Sequence, residues 1–166
     1  MKRMDSLGAR IIRVWERLSP LPGGAWFFSR LLGWWAPYTG TLGARVRELS
    51  AGRAKVELRE RRRVRNHLHS IHAIALANLG EVAGGLSMMT ALPDGARAIV
   101  THLSMEYLKK ARGRLVAEGR SMPVPAVTGD TDHLVYADIR DQAGEVVARA
   151  TVRWRLSPAV PDARER

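Results

Sequence analysis

The residues best suited to chemistry lie close together, in Asn66-His67-Leu68-His69-Ser70-Ile71-His72 and the run from Ala73 to Glu81 that follows. An amide, Asn66, ends a basic loop. A helix is expected from about residue 72 to 89, made of small and apolar residues, with one carboxylate, Glu81, on about its third turn. An ionised carboxylate in so apolar a helix is costly without a partner or a task. Two explanations are open. Glu81 either closes a buried salt bridge to an arginine, or is an acid held for proton transfer with a raised pKa. Asn66 is either a turn or cap residue or a polar group aimed at a reacting carbonyl or water. His72 reads first as a helix-start residue, and Asn78, one turn before Glu81, is placed to hydrogen-bond it.

His67, His69 and His72 could gather imidazoles around a metal. No aspartate follows at a metallo-hydrolase spacing and the chain has no cysteine, so no metal is expected. The missing cysteines also exclude disulfides and thiol nucleophiles and fit a reducing cytoplasm. No P-loop, Gly-x-Gly-x-x-Gly or Gly-x-Ser-x-Gly motif occurs.

The elements that must position these residues follow from periodicity. Residues 5 to 18 read as an amphipathic helix, stopped by Ser19-Pro20-Leu21-Pro22-Gly23-Gly24, and a second helix covers about 25 to 35. From Leu42 the period changes to two. Leu42 to Leu49 and Arg53 to Arg59 read as a hairpin turned by Ser50-Ala51-Gly52. After the central helix come strands over 96–107, 112–119, 133–140 and 145–155, taken as sequential hairpins. Two helices, two strands, one long helix and four strands argue for α+β architecture with an antiparallel sheet. Apolar or small on all sides, the long helix should be wrapped by that sheet.

At 166 residues, 46% hydrophobic and 26% charged, the chain fits one globular domain. Its net charge of +11 favours polyanions, unless it serves solubility alone. Aromatic residues do not interleave with the basic ones on strands, so nucleic acid is not expected. Neither a secretory leader nor a membrane-spanning run is read. The segment from Ala25 to Trp35 is aromatic enough either to cap the main domain or to touch a membrane surface.

The strand pair, Asn-bearing loop, His at the helix start, carboxylate on the buried helix and four later strands together resemble the hotdog-fold thioesterases. The nearest branch is the phenylacetate-pathway type with its DUF4442 relatives. That family places an Asn, a short spacer, Gly-Gly and then Leu-Ala-Asp or Leu-Ala-Glu. Asn66, His72, Ala73 and Leu79-Gly80-Glu81 hold the same spacing. Residues 106–111 resemble its strand-end segment Tyr-Leu-Lys-Pro-Ala. The resemblance covers about residues 42–156. It implies a hotdog domain over 41–156 with a helical extension over 1–40 outside it, and the polar, Pro-containing stretch 157–166 reads as a flexible tail.

The resemblance also implies roles. Glu81 would be general base or nucleophile, Asn66 would hold the carbonyl or water, and the Ala73 N–H would polarise the thioester oxygen. His72, Asn78 and Gly85 would border the substrate, and Lys109, Lys110 and Arg112 would meet its phosphates. The substrate would be acyl-CoA or an acyl-phosphopantetheine carrier, lying between subunits of a homodimer or a dimer of dimers, with no cofactor. The sequence departs from the family at Ala73-Ile74 in place of Gly-Gly, at His69 for a frequent Gly, and at Gly85 for a Ser or Thr that orients water. These departures leave a non-catalytic acyl-ligand binder as the alternative.

Overall fold

The computed structural model describes residues 6–158. Its elements run α1 (Leu7–Leu18), α2 (Gly24–Trp35), α3 (Pro37–Leu42), β1 (Arg45–Ser50), β2 (Arg53–Arg59), α4 (Ala73–Ala91), β3 (Ala96–Tyr107), β4 (Arg114–Arg120), β5 (Thr131–Arg140) and β6 (Val146–Pro158). One six-stranded antiparallel sheet, in the order β1-β2-β4-β5-β6-β3, curves around α4.

Close packing of helix on sheet explains the small residues of α4. A Cβ at Gly80 would come within 2.6 Å of the Ala150 Cβ, and one at Gly119 on β4 within 2.1 Å of the Ala83 carbonyl oxygen. Leu79 and Ala83 on the helix and Leu115, Ala117, Ala137, Ile139 and Ala150 on the strands have no exposed surface. The α+β reading with one helix inside a curved antiparallel sheet describes this architecture.

Three details differ from the sequence reading. The N-terminal helices number three, because Pro37 opens the short α3 and Gly43, with φ of 59°, ends it. Leu42 is therefore the buried end of a helix, and the strand starts at Arg45. A proline at the first helical position is favourable, which outweighs the weak alternation of that run. The later strands are also not all sequential hairpins. β3 pairs with β6 along its whole length, while β4 returns beside β2. Helix α4 carries the chain from one flank of the sheet to the other, so β3 becomes an edge. Finally, β6 runs through Pro158, so Ser157 and Pro158 belong to the sheet. The rest of the expected tail, 159–166, lies outside the described residues, as does residue 5 of the first helix.

The N-terminal helices share the core. Trp15 and Phe28 are buried edge to face at 5.1 Å, and the Val46 N–H donates to Ser29 Oγ, which fastens α2 to β1. Trp34 and Trp35, however, remain 83% and 60% exposed. Among the described residues no helix is long and apolar enough to cross a membrane.

Candidate active site

Helix α4 starts where the loop before it is tied down. The His72 N–H donates to the Val64 carbonyl and the Ile71 N–H to the Ala111 carbonyl, fixing the entry of the chain. His72 is the N-cap, and its Nδ1 accepts from the Ile74 N–H at 3.1 Å. This bears out the helix-start reading of His72 and takes one of the orphan donors of the first turn. No hydrogen bond among the described residues takes the Ala73 N–H, which sits at the positive end of the helix dipole. At the same end the Tyr107 hydroxyl donates to the Ala73 carbonyl at 3.1 Å, fastening the helix start to the end of β3.

Asn66 organises the loop. Its Oδ1 accepts from the Leu68 N–H at 2.9 Å and the Ser70 N–H at 3.2 Å, and its Nδ2 donates to Ser70 Oγ at 3.0 Å. The turn role is therefore present. One Nδ2 hydrogen is left over, so the amide can still donate to an incoming oxygen but has little capacity to accept. His69 in this turn has φ of 52°, a conformation that glycine adopts without strain.

Helix α4 is buried on most sides, yet Ile74, Asn78, Glu81, Gly85 and Met89 keep exposed surface. Their spacing of three or four puts them on one stripe. Cross-strand pairing sets what lies beside it. Leu103 and Met105 on β3 stand opposite the buried Val152 and Ala150, so they face the same side of the sheet as those residues do, toward α4. Leu103 and Tyr107 are nonetheless 38% and 49% exposed. An open face thus runs between the stripe and the inner side of the edge strand.

Glu81 sits on that face. Among the described residues no ion pair or hydrogen bond reaches its carboxylate. A guanidinium lock is absent there, and Asn78 does not hydrogen-bond it. Burial pushes the Glu81 carboxyl above its ordinary value of 4.5. Part of the apolar wall comes from β6. A Cβ at Gly85 would stand 3.5 Å from Glu81 Oε1 and 3.7 Å from Trp154 Cζ2. The Trp154 Nε1 is itself buried without an acceptor.

The strand read over 145–155 contains Trp154, to which the sequence reading gave no part in a site. Strand alternation carries no signal of which helix turn lies beneath. Lys109, Lys110 and Arg112 are exposed at the far end of β3 and beyond. Lys109 is engaged by Asp141 at 2.9 Å and Glu145 at 2.5 Å, which raise its pKa and fix the last hairpin. Ser121 Oγ and His133 Nε2 meet at 3.1 Å, a pairing that no spacing announced.

A Halobacterium salinarum protein named "Putative esterase VNG_1336C" is 31% identical over 122 residues, spanning 69% of this chain and 81% of that protein. A crystal structure designated genomics APC5556 is similar with a TM-score of 0.78 at 29% identity, covering 93% of this chain and 100% of that one. The structure of PA5026 from Pseudomonas aeruginosa, described as a protein of unknown function and probable thioesterase, has a TM-score of 0.69 at 22% identity, covering 78% and 93%. The model of the family described as "Domain of unknown function (DUF4442)" matches residues 24–156. With that match over most of its length, and with one helix wrapped by a curved antiparallel sheet as in those structures, the chain belongs to the DUF4442 family and has the hotdog fold.

Proposed function

We propose that this protein hydrolyses acyl thioesters, with Glu81 as general base or nucleophile in a site completed by a second copy of the chain. One observation carries the reading: a desolvated carboxylate, with no counter-ion among the described residues, lies on the open stripe of an otherwise buried helix. A structural ion-pair partner would have its cation beside it. In the general-base form, Glu81 takes a proton from water as the oxygen attacks the acyl carbon. The C–S bond then breaks, and the leaving thiolate takes the proton back from Glu81, which restores the carboxylate. The raised pKa makes the ionised carboxylate a stronger base. The Ala73 N–H and the helix dipole stabilise the oxyanion. The remaining Nδ2 hydrogen of Asn66 binds the carbonyl or the water.

The second copy is argued from the edge. β3 pairs on one side only, and its inner face carries the exposed Leu103 and Tyr107 beside the α4 stripe. Apolar surface next to an unpaired strand edge favours another chain. In this arrangement the partner copy brings Asn66 to Glu81, His72, Asn78 and Gly85 border the acyl group, and Lys110 and Arg112 lie toward the phosphates of acyl-CoA or a phosphopantetheine carrier. The relative named "Putative esterase" and the hotdog neighbour described as a "Probable Thioesterase" support the chemistry.

Release of free thiol from a panel of acyl-CoA substrates tests the proposal. Turnover that is lost in Glu81→Gln supports it; no turnover of any chain length, or full activity in that variant, rejects it. A second reading, a non-catalytic binder of acyl ligands, is favoured by Gly85, which offers no hydroxyl to a water. Tight acyl-ligand binding without hydrolysis, unchanged in Glu81→Gln, would select it.

A further inference from the structure

On the other flank of the molecule, α2, α3, β1 and β2 enclose a cavity of about 690 Å³. Its charge is one-sided. Arg30, Arg45, Arg59, Arg61 and Arg63 line it, and Glu57 is the one carboxylate among the lining residues. Glu57 is already engaged by Arg47 at 2.9 Å and Arg59 at 3.1 Å. Burial opposes its charge, but those two guanidiniums outweigh it and hold the Glu57 carboxyl below its ordinary value. No ion pair among the described residues includes Arg30, Arg45, Arg61 or Arg63.

Arg61 is the most constrained of the group. One of its Nη atoms donates to the Leu42 carbonyl, while its Nε is buried with no partner among the described residues. Burial first, then the like charges of Arg63 and Arg45, depress its pKa. A buried donor without an acceptor, beside Arg30, Arg45 and Arg63, which pair with no carboxylate among the described residues, costs free energy that a bound anion would recover.

The remaining lining combines apolar side chains with the hydroxyls of Ser29, Thr39 and Thr41. Trp26, Arg30 and Trp34 are four residues apart on α2, so one helix stripe presents ring, guanidinium and ring in turn. Val46 and Val56 come from the strands, and Val82 reaches in from α4. Trp34, 83% exposed, stands at the rim, and Arg61, Arg62 and Arg63 line an adjoining open depression.

We propose that this cavity binds an amphiphilic anion, a phosphate or carboxylate head on an apolar chain, with Arg45, Arg61 and Arg63 holding the head and Trp26, Trp34 and Val82 contacting the chain. A bare anion leaves the apolar lining uncovered. A neutral chain leaves the guanidiniums uncompensated. Arginine forks match the planar oxygens of either head group. The site is separate from the hydrolytic one: Val82 lines it, whereas Glu81, about 100° away around the helix, does not. The proposal therefore does not rest on the thioesterase reading, and its test needs no turnover.

The full-length protein is titrated calorimetrically with dodecyl phosphate and with dodecanoate, each below its micelle concentration. Dodecyltrimethylammonium and inorganic phosphate are the controls for chain and head. Saturable binding of at least one of the two anions, about tenfold or more tighter than either control, is expected. Arg61→Met should weaken it by about tenfold. Because Arg61 also holds Leu42, the joint variant Arg45→Gln with Arg63→Gln, both at exposed positions, keeps the test decisive if Arg61→Met does not fold. Vesicles of phosphatidylglycerol, compared with phosphatidylcholine, locate the source. Sedimentation with the anionic vesicles alone, competed by dodecyl phosphate, means a lipid head group in a membrane. Binding of the monomeric anions without the vesicles means a free amphiphile. No saturable binding, equal affinity for the cationic chain, or unchanged affinity in the joint variant overturns the proposal.

Discussion

The Trp154 indole edge and the Glu81 carboxylate border the same space over Gly85, where a side chain would begin 3.7 Å from one and 3.5 Å from the other. An aromatic wall keeps water from a carboxylate and holds its pKa up. Trp154→Phe thins that wall without adding a polar group. The acidic limb of the pH–rate profile should then move to lower pH, toward the ordinary carboxylate value. A limb that stays in place would remove Trp154 from the account.

Glu81→Gln should lower kcat about 10²–10⁴-fold, the usual range for loss of a general base. Stability gives an independent check. The folded-state pKa of Glu81 lies above the ordinary 4.5, so the native state binds the proton more tightly than the unfolded chain. Stability therefore falls as pH rises from the ordinary value through the raised one. The glutamine variant has no such loss. Relative to wild type, its Tm should be higher at about pH 8 than at about pH 4. A Tm difference independent of pH would mean that Glu81 is not desolvated in the folded protein.

Gly85→Ser places a hydroxyl where its Cβ fits without a clash. If water is activated between Glu81 and this turn, a hydrogen bond worth about 1 kcal/mol in the transition state raises kcat about fivefold. Single-turnover kinetics on the best acyl-CoA would show it. An unchanged rate places the attacking water elsewhere.

Two substitutions separate the structural and chemical work of Asn66. Asn66→Asp keeps an acceptor for the Leu68 and Ser70 N–H groups but removes the Nδ2 donor. It should retain most of the Tm and lose activity. Asn66→Ala should cost about 0.5–1.5 kcal/mol of stability as well, because those part-exposed donors lose their acceptor. Equal activity loss in step with stability loss in both variants would reduce Asn66 to a turn residue.

Leu103→Arg puts a charge on the exposed inner face of the edge strand. Light scattering should show a shift toward monomer, with kcat/KM falling in proportion to the dimer lost. A fully active monomer would refute a site shared between two copies.

The sequence by itself determined most of the local structure, the short helix α3 excepted. The strands read over Arg53–Arg59 and 96–107 coincide with β2 and β3 at both ends, and the Ala- and Gly-rich run marked α4 as buried. Glu81 stood out for the same reason, since an acid in that run has a cost visible without coordinates. The Asn66 turn was also legible, because its partners lie within four residues. Only the tertiary structure decided that β3 lies beside β6, that Trp154 walls the side of Glu81, and that arginines from α2, β1, β2 and the loop beyond share one cavity. Periodicity records that a face is covered and leaves open what covers it. That depends on pairings between residues far apart in the chain, which are settled by burial of the whole core around α4.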